Sequence, residues 1–144
     1  MVNLSHNQIA EIASYALHQS SIFSTLDLSF NRLSSLTSYG LVRLMRLDAS
    51  HNQLNAVAAD TFNGLHQTFQ QLNLAHNNLT TFHAGQLFHH QTFQQLNLAH
   101  NNLTTFHASQ LFHQTNALHT LHLSQSLFHL STPRSSRKRT SSVW

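Results

Sequence analysis

Short alternations of apolar and polar residues recur along the chain, and each is followed by an asparagine and one further apolar position. The pattern reads VNLSHNQI at 2–9, LDLSFNRL at 26–33, LDASHNQL at 47–54, and LNLAHNNL at both 72–79 and 96–103. A sixth copy, LHLSQSLF at 121–128, carries Ser126 where the others have asparagine. Leucines two apart, such as Leu72 and Leu74, point to one face of a short strand. One such strand cannot bury that face alone. Stacking neighbours about 4.8 Å apart makes a parallel sheet whose leucines become a continuous core. The asparagines fall at 7, 31, 52, 77 and 101, and residues 67–90 recur at 91–114 with only Gly85/Ser109 and His90/Gln114 different. Duplicating one strand of a catalytic centre would destroy its geometry, whereas duplicating one coil of a solenoid only lengthens the stack.

Where each strand ends, the chain turns sharply and backbone N–H and C=O groups face burial. An asparagine amide both donates and accepts, so Asn7, Asn31, Asn52, Asn77 and Asn101 are expected to form a structural ladder. The return paths, such as TTFHAGQLFHH at 80–90, are short and polar, which predicts irregular chain with one helical or 3₁₀ turn. The second return is the shortest and has Tyr39-Gly40 at its turn. Ser20, His90 and Gln114 or Thr115 stand where an apolar residue would pack, as Leu65 does, so the convex side is expected to be loose.

The template L-x-L-x-x-N-x-L resembles the leucine-rich repeat family, whose unit is roughly 20–29 residues. Residues 44–65, LMRLDASHNQLNAVAADTFNGL, also resemble its longer "typical" subclass, with Val57, Phe62 and Leu65 in the downstream apolar positions. The resemblance covers residues 2–128. It implies an α/β fold: a right-handed solenoid, a horseshoe segment with a parallel concave β-sheet and a mostly irregular or short-helical convex side. Residues 1–132 form the solenoid, about five full repeats plus one degenerate, and 133–144 form a disordered basic tail. The family is built for non-enzymatic recognition of proteins or glycoproteins, often in extracellular receptors, adhesion molecules and innate immunity. That favours a secreted or cell-surface parent, although neither a signal peptide nor a transmembrane segment is visible in this chain.

Recognition would fall to the polar positions of each strand. By register these include Ser29, Ser50, Ala75 and Ala99, and the ligand-binding candidates are Asp27, Phe30, Arg46, Asp48, His51, Gln71, Asn73, His76, Gln95, Asn97, His100 and His122. His6, His51, His76 and His100 share one position, a column that would gain charge below about pH 6.5 and make a pH-sensitive surface. A spacer with no ligand of its own, or a truncated repeat fragment, is the alternative.

Charge narrows the partners. Four acids face seven bases, but four of those bases lie at 134–139, leaving residues 1–132 at 3 − 4 = −1. The body therefore offers nothing to nucleic acid, and no run of about 20 apolar residues is present to enter a membrane. With no cysteine there is neither a disulfide framework nor a thiolate zinc site. The fourteen histidines do not converge as metal ligands: the column is nearly straight, and His119 and His122, three apart, point to opposite faces of a strand. No G-x-S-x-G elbow, glycine-rich phosphate loop or H-E-x-x-H is present, so neither an enzyme nor a cofactor is expected. Asn3, Asn78 and Asn102 begin N-glycosylation triplets. The chain opens inside a strand and reads as a segment of a longer protein, with uncapped ends that invite self-association.

Overall fold

The computed structural model describes residues 1–18, 23–40, 42–58, 60–65, 68–83, 87, 92–106 and 118–126. Ten short strands occur in chain order: β1 (Val2–Asn3), β2 (Thr25–Asp27), β3 (Ser35–Leu36), β4 (Arg46–Asp48), β5 (Ala56–Val57), β6 (Gln71–Asn73), β7 (Thr81–Phe82), β8 (Gln95–Asn97), β9 (Thr105–Phe106) and β10 (Thr120–His122). One six-stranded sheet runs β1-β2-β4-β6-β8-β10, so each repeat lies beside the next. All its pairs are parallel, and Leu26, Leu47, Leu72, Leu96 and Leu121 stand side by side. This is the expected parallel-sheet solenoid.

The pattern of leucines explains the packing. In the second coil Leu26, Leu28 and Leu33 are all fully buried, as are Leu96, Leu98 and Leu103 in the fifth. Removing a leucine side chain from water is worth about 1.5–3 kcal/mol, so each coil contributes several such increments once a neighbour covers it. Neighbours matter, because in the first coil Val2, Leu4 and Ile9 are only partly buried. Along the flank, Phe62, Phe69 and Phe93 form a second buried row, with ring centroids 5.7 and 5.5 Å apart.

The return side is mostly irregular, as expected, with two short strand pairs added. β3 pairs with β5 and β7 with β9, again parallel and in register. Leu36, Phe82, Val57 and Phe106 anchor these pairs to the core. Among the described residues the returns otherwise hold turns, as at 14–17 and 60–64, and no α-helix. The shortened second return is set by Gly40, at φ 76°, where a Cβ would stand 2.8 Å from the Cβ of His18. Tyr39 beside it is buried, which pushes its phenol up to about 12, partly opposed by a hydrogen bond with the Thr37 backbone. Ser20, His90, Gln114, Thr115 and the tail 133–144 lie outside the described residues.

The asparagines line up along the stack. Asn101 Nδ2 donates across to Leu74 O on the preceding coil (2.9 Å) and to Leu98 O and Ala99 O on its own (2.9 and 3.3 Å). Its Oδ1 accepts from Leu79 N at 3.0 Å. Asn31, Asn52 and Asn77 repeat this set on their own coils, each reaching the preceding carbonyl at 2.9–3.0 Å. Asn7, on the first described coil, bonds Leu4 O and Ser5 O within its own turn. Ser126 keeps part of the function: its hydroxyl donates to Leu98 O at 3.2 Å, the place an asparagine amide would take.

Candidate functional site

The strand rows carry most of the candidate surface. Arg46, Gln71 and Gln95 stand side by side at one end of the strands, and Asp27, Asp48, Asn73, Asn97 and His122 at the other. Between them lies a hollow of about 360 Å³, lined by these residues with Thr25 and Met1, and reaching down to Leu47, Leu72 and Leu96. Amides and a few charges rim it, and the leucines with Met1 supply apolar surface between them.

The second row also has a structural task that spacing alone did not reveal. Asp27 Oδ1 accepts from Ser29 N and Oγ at 2.9 and 2.7 Å, and Asp48 Oδ1 does the same with Ser50 at 2.9 and 2.6 Å. Asn73 and Asn97 receive Ala75 N and Ala99 N at 3.2 and 3.1 Å. These Asx turns close the strand and start the bend. Asn73 also donates to Asp48 Oδ2 at 3.0 Å, tying two coils together on the surface. Ser29, Ser50, Ala75 and Ala99, expected on the open face, are instead buried beneath these turns. Strict alternation stops once the strand ends, and the small side chain is what lets that position turn inward.

The next residue in each coil is forced outward. His6, Phe30, His51, His76, His100 and Gln125 all adopt left-handed backbone, with φ between 52° and 55°. A non-glycine residue rarely holds that conformation without support. Here the support recurs: His6 N, Phe30 N, His51 N, His76 N and His100 N each donate to a carbonyl of the following coil at 2.9–3.1 Å. Phe30, His51, His76 and His100 therefore leave the strands and stand on the rim. Their rings stack, His6 on Phe30 at 4.3 Å, Phe30 on His51 at 4.2 Å, His51 on His76 at 4.2 Å and His76 on His100 at 4.1 Å. Interplanar angles of 8–11° make this one continuous pile. Lost hydration, followed by the charges of His100 and His51, holds the His76 imidazole below its ordinary value.

Parallel rings send their nitrogen lone pairs out side by side instead of toward one point. Among the described residues no group of three or more histidines or acids could hold a metal. Asn78 and Asn102 are exposed beside the ring column, while Asn3 Oδ1 is occupied by Ser5 N and Oγ at 2.8 and 2.6 Å. No helix among the described residues is long and apolar enough to cross a membrane.

Stacked coils, an asparagine ladder and a parallel inner sheet define a leucine-rich-repeat solenoid. Residues 42–103 match the family profile described as leucine rich repeat. Over 87 residues, 58% of this chain, it is 37% identical to Tsukushi of Xenopus tropicalis, of which it spans about a quarter (25%). Among solved structures it superposes on the Drosophila Toll–Spatzle complex with a TM-score of 0.70 at 27% identity, covering 80% of this chain and 15% of that one. The APL1 leucine-rich repeat domain gives a TM-score of 0.77 at 24% identity, covering 89% of this chain and 33% of that one, a likeness of fold.

Proposed function

We propose that this chain is a non-enzymatic protein-binding module that contacts its partner through the concave sheet. The observation that carries the reading is the row of outward amides and charges held in register across the sheet. Gln71, Asn73, Gln95 and Asn97 offer donors and acceptors in pairs, while Asp27, Arg46 and Asp48 supply the formal charge. Such a surface suits the polar backbone and side chains of a folded protein, with hydrogen bonds at strand pitch. The similarity to Toll, whose solved structure is a complex with Spatzle, supports a protein or glycoprotein partner and an extracellular setting in receptor, adhesion or innate-immune biology.

The test is a screen of the full chain against a panel of secreted and cell-surface ectodomains, repeated with R46E/Q71R/Q95R. These three side chains make none of the turn-closing bonds, so the coils remain intact. Binding to an ectodomain that the triple variant loses, and that T81R on the exposed return side keeps, supports concave recognition. Binding insensitive to the triple variant, or no bound ectodomain, favours a spacer whose repeated coils set reach.

A further inference from the structure

The rim column presents ring edges, because the faces cover one another. His6, His51 and His76 are exposed and His100 is half-buried. The groups packed against these imidazoles are each other, Phe30 inside the pile, and Gln125 at the same position on the coil beyond His100. The nearest acids along the chain face elsewhere: Asp27 and Asp48 each turn one oxygen into an Asx turn, and Asp48 gives the other to Asn73. Among the described residues neither acid is ion-paired with the column. Just beyond it, past the asparagine ladder, runs a row of Gln8, Arg32, Gln53, Asn78 and Asn102, one cation with four amides and no acid. Protonation would therefore create a line of positive charge with no internal counterion.

We infer that the rim column of His51, His76 and His100, flanked by the amides beside it, is an acid-dependent docking strip for a sulfated glycan. It is a separate surface from the concave face and does not rest on that reading. Three imidazolium rings 4.2 and 4.1 Å apart repel one another unless anions lie along them. A polymer with anions every few ångströms meets that pitch, and sulfate esters keep full charge at the pH where imidazole gains its own. The amides supply donors to sugar hydroxyls and sulfate oxygens. Linkage then requires that glycan binding draw protons onto the column.

Phe30 shows that phenylalanine fits this column at φ 54°, so H51F/H76F/H100F removes the charge and keeps the stack. Heparin affinity of the full chain is measured at pH 7.5 and 5.5, with isothermal titration at pH 6.5 in two buffers of different ionisation heat. Arg134, Arg137, Lys138 and Arg139 keep their charge at both pH values, so whatever they contribute cancels in the difference. The expected result is a gain of about tenfold or more on acidification, net proton uptake on binding, and loss of both in the triple variant. Equal gain in the triple variant, or absence of proton uptake in the unaltered chain, overturns the proposal. So does an equal pH gain toward polyglutamate, which would make the partner an acidic polypeptide.

Discussion

Replacing Asn101 with alanine removes a bond to each of three carbonyls and one from an amide, all of them buried. Two of those partners, Leu74 O and Leu79 N, belong to the preceding coil. A buried backbone group left without a partner costs about 1–3 kcal/mol, and Leu79 N has no second acceptor within the turn. The carbonyls fare better: Leu74 O keeps Asn77 Nδ2, Leu98 O keeps the Ser126 hydroxyl and Ala99 O keeps His76 N. The sum is about 3 kcal/mol, a large fraction of what a solenoid of this size has. Asn101→Ser should fall between, since Ser126 shows that a hydroxyl at this position still reaches the preceding coil. Asn7→Ala removes only bonds within its own exposed turn and should cost less than about 1 kcal/mol. Urea unfolding followed by far-ultraviolet circular dichroism gives the order N101A, N101S, N7A, with slopes compared to confirm that the same unit unfolds. Equal cost at Asn7 and Asn101 would refute the reasoning, because the ladder would then act within coils and not between them.

Three further outcomes follow from the same geometry. The His76 imidazole is held below its unfolded value, so the unfolded chain binds more protons as pH falls through about 6.5. Stability is then full above that value and declines below it, and urea midpoints measured from pH 7.5 to 5 should show H76F flattening the decline. Gly40→Ala forces a Cβ into His18 at positive φ, and should lower the urea midpoint by about 1–2 kcal/mol equivalent, while Gly64→Ala serves as a comparison. Phe93→Ala empties one end of the buried phenylalanine row beside Phe69 and should cost about 3–5 kcal/mol, read by the same unfolding curves.

Much of this fold is legible in the sequence because one physical need repeats at one spacing. Leu72 and Leu74 declare a face, Asn77 declares a bend with groups to satisfy, and recurrence declares that coils satisfy one another. The parts that were not legible lie where that alternation ends. Two positions separate Leu74 from Asn77, and period 2 cannot say which of Ala75 and His76 faces out. The left-handed turn decides, with the small residue inward and the ring outward. A run of Ser or Ala at the first position against His or Phe at the second is the signal, read correctly only once the turn is known. The paired return strands were hidden for another reason. Ser35–Leu36 and Thr81–Phe82 are two residues long, and a dipeptide has no period to read.

The candidate site divides in the same way. Gln71, Gln95 and Arg46 could be placed on the open face from register alone, because they precede the inward leucine in each strand. The second task of Asp27, Asp48, Asn73 and Asn97 came from backbone geometry after the strand, where side chain and bend must share an oxygen. Substitutions there change the turn together with the surface. The first row is therefore the cleaner probe of recognition.

The fold depends on coils piled in register, and the absence of native cysteine allows that to be tested by paired thiols. Cysteines at 46 and 71, or at 71 and 95, face each other across neighbouring strands. Those at 46 and 95 are two strands apart. Under a short thiol-bridging reagent the first two pairs should cross-link rapidly within one chain, and the third should not. Comparable cross-linking of all three pairs, or none at 71 and 95, would contradict the stacked solenoid.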